Sequence, residues 1–267
     1  MIKAIVAGAA GRMGGRIIKT ILETDGIELA ASFERADHPA VGKDVGEVVG
    51  AGNLGILVAS SLEDVVEKGD VIIDFTHFKA SLRHLEIAST YKRPIVIGST
   101  GFGESDLEQA RKYAENVPCV LAPNMSVGVN VLFKIVAEVA KYLGDGFDIE
   151  IIEAHHHHKK DAPSGTAMKL AEVLAEARGW KLSDVGVFCR HGMIGERKKE
   201  EIGVQTIRAG DIVGEHTVLF GGIGERIEVT HKAHSRDNFA RGAVRAAMWI
   251  VNQPNGMYDM QDVLGLR

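Results

Sequence analysis

The chain has 267 residues, of which 45% are hydrophobic and 25% are charged, and its formal net charge is -5 at pH 7. Such a chain can bury a core without metals or disulfides. Its acidic balance lacks the basic surface that nucleic-acid binding requires. No apolar run reaches the length of about 18 residues that a membrane span needs, and the amino terminus lacks a signal-peptide pattern. We therefore expect a cytoplasmic protein that binds neither nucleic acid nor a membrane.

Apolar segments and helical segments alternate through the first half of the chain. Five strands are predicted: Ile2 to Gly8, Ile27 to Phe33, Asp70 to Thr76, Pro94 to Thr100 and Pro118 to Asn124. Each ends in small or polar residues and is followed by a helical segment. Near-continuous apolar strands that alternate with helices predict an α/β fold with a doubly wound parallel sheet, covered on both faces.

The first strand and the first helix are joined by the sequence "GAAGRMG". It places Gly8, Gly11 and Gly14 where a dinucleotide loop needs them, because glycine allows a pyrophosphate to approach the helix-terminal N–H groups. Arg12 is a further candidate for phosphate contact. The G-x-x-G-x-x-G spacing is not the commonest one, and such a turn also arises merely to pack a helix on a sheet.

The second strand ends in "SFER", which gives a second indication of a coenzyme. Glu34 lies 20 positions after Gly14, where a carboxylate accepts hydrogen bonds from the ribose hydroxyls of NAD. Arg35 follows and can meet a 2′-phosphate. The pair predicts a site for both NADH and NADPH; the alternative is an exposed, charged strand end.

Two later strand ends, "GSTG" at 98–101 and "APNMS" at 122–126, are poor in side chains. Ligands of a doubly wound sheet bind beyond the carboxyl ends of its strands, so these residues leave room for a nicotinamide ring. They are equally compatible with ordinary turns.

The pattern changes after about residue 126. A long helix, a strand ending in histidines and a second helix follow. Residues 201–233 contain three strand-like runs separated by "AGD" and "GGIGE", and such short turns predict an antiparallel meander. A final helix is predicted from "SRDNFARGAVRAAMWIVNQ". We therefore expect a second, α+β domain with a mostly antiparallel or mixed sheet.

The segment "EAHHHHKKDAPSGTA", at 153–167, contains four consecutive histidines. Its internal position argues against an affinity tag. Neighbours on an extended chain point to opposite faces, so the four imidazoles cannot converge on one ion, and we expect no metal. A solvated basic loop remains the alternative to a functional site.

The residues after the histidines begin a helix that Asp161 or Ser164 can cap. Its first amides, at Ser164, Gly165 and Thr166, then form an anion site. Lys159 can bring a positive charge to the same anion.

His155 and His156 lie at the end of the preceding strand, where imidazoles donate hydrogen bonds or transfer protons near neutral pH. The segment is therefore predicted to bind a carboxylate-bearing substrate.

Over nearly its full length the chain resembles the 4-hydroxy-tetrahydrodipicolinate reductase family, also called dihydrodipicolinate reductases, of the lysine–diaminopimelate pathway. The resemblance rests on "GAAGRMG", "DFT", "IGSTGF", "APNMSVGVN", "EAHHHHKKDAPSGTA" and "THKAHSRDNFARGA", of which the fifth is the most diagnostic. It implies a Rossmann coenzyme domain at 1–126 and 236–267, and a domain at 127–235 for the substrate and for homotetramer contacts. Family members reduce a cyclic dicarboxylate imine derivative, with loss of water, to tetrahydrodipicolinate.

The resemblance also implies roles for residues of the histidine segment. His155 matches the proton donor and acceptor, Lys159 a proton donor, and His156 a substrate-binding histidine. Gly165 and Thr166 match the residues that hold a substrate carboxylate.

The contacts implied for NADH or NADPH are Gly8, Ala9, Ala10, Gly11, Arg12, Met13, Glu34, Arg35, Gly98, Ser99, Thr100, Ala122, Pro123, Asn124 and Met125. Arg236 is a looser candidate. His157 stands where Arg or Phe is frequent and Lys160 where an uncharged residue is usual, so the pH optimum stays open.

Two other functions remain to be distinguished. One is a coenzyme-sensing regulator without chemistry, against which the anion site and the His/Lys cluster argue. The other is a semialdehyde dehydrogenase of an amino-acid pathway, which would need a different basic segment. Oxidation of NADH with a dicarboxylate substrate would distinguish an enzyme from the regulator. A substrate panel would distinguish it from the semialdehyde dehydrogenase.

Overall fold

A computed structural model describes all residues, 1–267, of the chain. The chain divides into two compact units, the first comprising Met1–Val127 with Asp237–Arg267 and the second Gly128–Arg236. None of the helices combines the length and the apolar character needed to cross a membrane.

Twelve strands and nine α-helices make up the two units. The strands are β1 (Ile2–Ala7), β2 (Ile27–Phe33), β3 (Val58–Ala59), β4 (Val71–Asp74), β5 (Ile95–Ile97), β6 (Pro118–Leu121), β7 (Asp148–His155), β8 (Gly186–Val187), β9 (Ile202–Arg208), β10 (Gly214–Gly221), β11 (Arg226–Ala233) and β12 (Gly256–Tyr258). The helices are α1 (Arg12–Leu22), α2 (Val45–Val49), α3 (Phe78–Tyr91), α4 (Glu104–Ala114), α5 (Val127–Leu143), α6 (Gly165–Ala177), α7 (Leu182–Val185), α8 (Asp237–Ile250) and α9 (Met260–Leu264).

The first unit is built on a seven-stranded parallel sheet with the order β12-β6-β5-β4-β1-β2-β3. Side chains alternate between its two faces, so along β4 Val71 and Ile73 pack with α1 and α8, whereas Ile72 packs on the opposite face with α3 and α4. Both faces are buried, which is why the strands are apolar throughout. The predicted Rossmann-type doubly wound sheet is confirmed.

The second unit contains a mixed sheet with the order β11-β10-β7-β9-β8. β10 is antiparallel to both β11 and β7, but β7 and β9 run parallel. The predicted meander is therefore wrong for its first strand, because β9 pairs with β7 and not with β10. In the sequence, α6 lies between β7 and β9. It returns the chain to the end of the sheet at which β7 begins, so β9 runs parallel to β7.

One face of this mixed sheet packs against α5 and α6. Ile149 and Ile151 of β7 point to that face and join Val136 and Leu170 in a fully buried core. Because strand side chains alternate with a period of two, Glu153 and His155 continue the same face. Glu153 and His155 therefore lie at the edge of the core, next to the beginning of α6.

Candidate coenzyme and substrate sites

Glu153 is the polar centre of the second unit, with no exposed surface. Its Oε2 accepts a hydrogen bond of 2.6 Å from Nδ1 of His155, and its Oε1 accepts one of 3.0 Å from the backbone N–H of Ser164. Arg208 donates to both oxygens at 2.9 Å, and the Thr206 hydroxyl donates to Oε1 at 3.2 Å. One carboxylate thus joins β7, β9 and the residue that caps α6.

These donors decide the charge of Glu153. Burial raises the pKa of a carboxyl group, but the hydrogen bonds from His155, Arg208 and the Ser164 amide outweigh burial and lower the pKa of Glu153 to about 2. The group is therefore a carboxylate at neutral pH and can only accept hydrogen bonds. Nδ1 of His155 must carry the hydrogen, which leaves Nε2 to exchange a proton with a ligand.

Gly214 on β10 lies beside this nitrogen. A Cβ atom at position 214 would lie 3.1 Å from Nε2 of His155. The backbone at Gly214 does not have the positive φ that favours glycine, so only the neighbouring imidazole explains the absence of a side chain.

Ser164, and not Asp161, caps α6. Its Oγ accepts a hydrogen bond of 3.1 Å from the backbone N–H of Ala167 and lies 3.0 Å from Nε2 of His216. Burial, followed by the charge of His155, lowers the pKa of His216 to about 3, so this imidazole is neutral. In either direction of the bond between Ser164 Oγ and His216 Nε2, Oγ keeps a lone pair that accepts from the N–H of Ala167.

Gly165 and Thr166 are the first two residues of α6. Gly165 is exposed, its φ lies outside the left-handed region, and a Cβ built on it would have no atom within 4 Å. Neither backbone strain nor packing therefore requires glycine here. A bare backbone at a helix N-terminus is instead suited to the close approach of an anion.

Lys159 and His156 lie in the loop between β7 and α6. Nζ of Lys159 contacts the largely exposed Asp161 carboxylate at 2.9 Å. Nδ1 of His156 is buried without a hydrogen-bond partner in the protein. Burial, followed by the positive charge of Arg236, lowers the pKa of His156. The loop therefore offers one exchangeable ammonium and one unsatisfied imidazole nitrogen.

His157 is exposed, and its Nδ1 lies 2.8 Å from the carbonyl oxygen of Gly210. Its ring packs against that of His158, with the centroids 3.8 Å apart. His157 and His158 therefore make their contacts at the loop surface and do not bond to Glu153.

In the first unit the glycine loop borders a cavity of about 550 Å³ at the ends of β1, β2 and β4. Gly8 has a φ of +73°, and a Cβ on Gly14 would lie 1.9 Å from the Gly8 carbonyl oxygen. Gly14 is thus required for packing of α1, as the alternative interpretation proposed. The carboxylate of Glu34 accepts a hydrogen bond of 3.0 Å from the N–H of Ala10.

Only some of the predicted coenzyme contacts meet at this cavity. Its lining includes Gly8, Gly11, Arg12, Met13, Glu34 and Arg35. A cavity of this volume beside a glycine loop is large enough for an adenosine, so the residues present fit the adenosine half of a dinucleotide.

The other predicted contacts lie outside the cavity lining: Ala9 and Ala10 are in the glycine loop, and residues 98–100 and 122–125 follow β5 and β6. Gly98 lies under the ring of Phe75, where a Cβ would be 2.2 Å from Cζ, so packing demands a glycine here. The hydroxyl of Ser99 is 2.7 Å from that of Ser81. Ala9, Ala122 and Met125 are buried, whereas Ala10, Thr100 and Pro123 are exposed and Asn124 is half-buried.

Several residues at these sites were not predicted from the sequence. Glu153 stands two positions before His155, and strand periodicity would have placed both on one face. Arg208 and His216 lie more than 50 positions away along the chain, and only the sheet brings them to Glu153.

A Rossmann-type sheet with a glycine loop defines a dinucleotide-binding class of protein. Residues 2–125 match the family described as "Dihydrodipicolinate reductase, N-terminus", and residues 128–264 match "Dihydrodipicolinate reductase, C-terminus". The chain therefore belongs to the dihydrodipicolinate reductase family, a family of pyridine-nucleotide-dependent reductases.

Individual proteins agree with this assignment. The chain is 61% identical to 4-hydroxy-tetrahydrodipicolinate reductase of Syntrophus aciditrophicus and 59% identical to that of Syntrophobacter fumaroxidans, over 100% of each chain. Dipicolinate-bound dihydrodipicolinate reductase from Paenisporosarcina sp. TG-14 has a similar structure, with a TM-score of 0.77, 28% identity and 98% coverage of both chains.

Proposed function

We propose that the protein reduces 4-hydroxy-tetrahydrodipicolinate to tetrahydrodipicolinate with NADH or NADPH, in lysine and diaminopimelate biosynthesis. One observation carries the proposal: a buried carboxylate, Glu153, joins the imidazole of His155 to the first turn of α6. A proton carrier and an anion site are therefore built as one rigid piece. The full-length similarity to named reductases supports the same activity.

The substrate is a dicarboxylate, and the second unit offers groups suited to it. The amides of Gly165 and Thr166 would hold one carboxylate at the positive end of α6. His156, whose Nδ1 is buried without a partner, would donate a hydrogen bond to the substrate. Lys159 would exchange its exposed partner Asp161 for the bound anion. The dipicolinate in the Paenisporosarcina structure, a pyridine dicarboxylate, supports this class of ligand.

Loss of the 4-hydroxyl group as water would leave a conjugated imine, and NADH or NADPH, when bound, would supply a hydride to its electrophilic ring carbon. Lys159 or His155 then gives a proton to the enamine that the reduction leaves. In His155 this proton would leave from Nε2, because Glu153 holds Nδ1–H. The ammonium of Lys159 and the first turn of α6 favour the negative charge that develops during the transfer.

We propose that the first unit holds the coenzyme. Glu34 would accept hydrogen bonds from the adenosine ribose hydroxyls, and Arg35 would meet a 2′-phosphate. The Arg35 guanidinium is exposed and has only a distant partner, Asp37 at 3.7 Å, so it is free to turn. Dual use of NADH and NADPH follows. The residues at 98–100 and 122–125 would border the nicotinamide half.

A homotetramer in the cytoplasm completes the proposal. The face of the mixed sheet opposite α5 and α6 carries the half-buried Ile152 and Leu219 and the exposed Ile207. Such a face is suited to pairing with other copies of the chain. Light scattering is expected to give four times the mass of one chain; the mass of a single chain would contradict this part.

The activity is tested with the freshly made product of the preceding synthase and with each coenzyme in turn. Loss of the absorbance of NADH or NADPH at a rate that depends on the dicarboxylate supports the proposal. A coenzyme-sensing regulator would show binding without oxidation. A semialdehyde dehydrogenase would act instead on a semialdehyde in a substrate panel.

The role of Lys159 is tested by Lys159→Ala against Lys160→Ala, an exposed neighbour. We expect Lys159→Ala to lower kcat by about 10²-fold or more while leaving coenzyme affinity unchanged, since proton transfer contributes on this scale. Lys160→Ala should stay within about threefold of the wild type because it removes no group of the proposed site. Near-normal turnover of Lys159→Ala would end this assignment.

A further inference from the structure

We propose that Glu153 is a positioning residue for the reduction: it fixes the tautomer and direction of His155 and, through the same carboxylate, the first turn of α6. The inference rests on the proposed function and deepens it.

The two oxygens of Glu153 have separate tasks. Oε2 receives Nδ1–H of His155 at 2.6 Å, and Oε1 receives the Ser164 N–H at 3.0 Å. Arg208 bonds to both oxygens at 2.9 Å and to the carbonyl of Asp161 at 2.6 Å. The carboxylate cannot rotate without losing several of these bonds, so the imidazole and the helix start keep a fixed relation.

A purely structural role would not require this residue type. A buried ion pair is replaceable by apolar side chains of similar volume with little loss of stability, and often with a gain. At the core edge reached by β7, an apolar residue would continue the pattern of Ile149 and Ile151. A carboxylate here is instead explained by its two protein donors at the site, an imidazole and a helix-terminal amide.

Glu150 provides an internal comparison on the same strand. Arg190 donates to its two oxygens at 2.8 and 2.7 Å, which resembles the clamp of Arg208 on Glu153. Glu150 points to the opposite face of the sheet, and it bonds neither a histidine nor the start of a helix. Arginine pairs with three carboxylates of β7, those of Asp148, Glu150 and Glu153, but only Glu153 adds the imidazole.

Glu153→Gln tests the inference because it removes the charge and keeps the shape. Three donors, from Ser164, Thr206 and Arg208, converge on Oε1, so they would hold the amide oxygen there. The amide NH₂ would then face Nδ1 of His155. That nitrogen would have to become an acceptor, and the ring hydrogen would move to Nε2.

The kinetic experiment uses the full-length protein, with Glu150→Gln as the matched control. We expect Glu153→Gln to lower kcat by about 10²–10³-fold, since neutralising the carboxylate that orients a catalytic histidine can cost about 10⁴-fold. Coenzyme Kd should change less than about twofold because the glycine loop is untouched. Glu150→Gln should retain kcat within about threefold. A kcat for Glu153→Gln within threefold of the wild type would overturn the inference.

A second readout does not depend on activity. Imidazole spectra of ¹⁵N-histidine-labelled protein, with the His155 signals assigned through His155→Asn, report which ring nitrogen carries hydrogen. We expect protonated Nδ1 in the wild type and in Glu150→Gln, and neutral imidazole with hydrogen on Nε2 in Glu153→Gln. An unchanged His155 tautomer in Glu153→Gln would reject the positioning role even if activity fell.

If Glu153→Gln does not fold, Glu153→Asp keeps the charge beside Arg208 but withdraws the carboxylate from His155 by one methylene. A fall in kcat of at least about tenfold, with circular dichroism unchanged, supports the inference, whereas normal kcat rejects it. Failure of the proposed function would look different, because the wild type itself would then not oxidise NADH or NADPH with the dicarboxylate.

Discussion

Each unit of the molecule contains a fully buried carboxylate paired with a histidine. In the first unit Asp74 lies 2.7 Å from Nδ1 of His84, and in the second Glu153 lies 2.6 Å from Nδ1 of His155. The two histidines are similarly enclosed, with side-chain exposures of 14% and 12%. The pair alone therefore does not distinguish the two sites.

The surroundings of the two pairs differ. The other oxygen of Asp74 accepts from the N–H and the hydroxyl of Thr76, and the ring of His84 packs edge-on against Phe33. Phe33, Thr76 and His84 form part of the wall of the cavity beside the glycine loop. Glu153 instead reaches an arginine and a helix start, and its histidine lies against Gly214, where a Cβ atom would be 3.1 Å from Nε2. The two pairs therefore differ in what the carboxylate joins to the imidazole: the backbone and hydroxyl of Thr76 in the first unit, and the start of α6 in the second.

The largest expected effect separates the two histidines. His155→Gln should lower kcat by about 10²–10⁴-fold, the range for general acid–base groups, with unchanged coenzyme affinity. His84→Gln should act on coenzyme affinity, raising Kd about threefold to tenfold through the altered cavity wall. Steady-state kinetics and coenzyme fluorescence titration measure both. Loss of coenzyme binding in His155→Gln would contradict the assignment of proton transfer to His155 and of coenzyme affinity to His84.

Two glycines at helix starts sharpen the comparison between the units. Gly14→Ala should destabilise the first unit by about 3 kcal/mol or more, since its Cβ would lie 1.9 Å from a backbone oxygen. Gly165→Ala should leave stability unchanged or raise it by up to about 1 kcal/mol. Its methyl group should nevertheless raise the KM for the dicarboxylate about tenfold by blocking the amides. Urea unfolding and kinetics test these outcomes; an unchanged KM in Gly165→Ala would remove this anion site.

A methyl group at Gly214 should act on the histidine without affecting the helix. In Gly214→Ala the Cβ would lie 3.1 Å from Nε2 of His155, so the ring must shift by a few tenths of an ångström. We expect kcat to fall by about tenfold, since small displacements of a positioned group are costly. Retention of full kcat would mean that Nε2 of His155 exchanges no proton with the substrate.

The smallest expected effect concerns acid stability of the second unit. The pKa of His216 is lowered from 6.5 to about 3, so its contribution to stability is complete above pH 6.5 and is lost as the pH falls towards 3. The lowered pKa of Glu153, about 2, adds a further loss between about pH 4.5 and pH 2. We expect His216→Asn to reduce the fall in unfolding free energy between pH 7 and pH 4.5 by about 2 kcal/mol.

Trp180 lies in the second unit, so its fluorescence in a Trp249→Phe background can follow urea unfolding of that unit at each pH. If the unfolding free energy depended on pH equally in the wild type and in His216→Asn, the loss of stability in acid could not be assigned to the His216 imidazole.

Local patterns in the sequence determined much of this protein. Apolar strands and helical spacing predicted the parallel sheet, because burial on both faces needs continuous apolar strands. "GAAGRMG" and "EAHHHHKKDAPSGTA" predicted a dinucleotide loop and the start of a helix with a histidine before it, since glycine placement and helix capping are local effects. Strand alternation also puts Glu153 and His155 on one face without any tertiary information.

Only the tertiary structure decided the order of the mixed sheet and the partners of Glu153. β9 and β10 lie on opposite sides of β7, and this order brings Arg208 to the Glu153 carboxylate and His216 to the hydroxyl of Ser164. Strand pairing joins residues that are distant along the chain, and it follows from burying a shared face with α5 and α6 and not from local preference. The charge of Glu153, the neutrality of His216 and the close approach of His155 to Gly214 all follow from that packing.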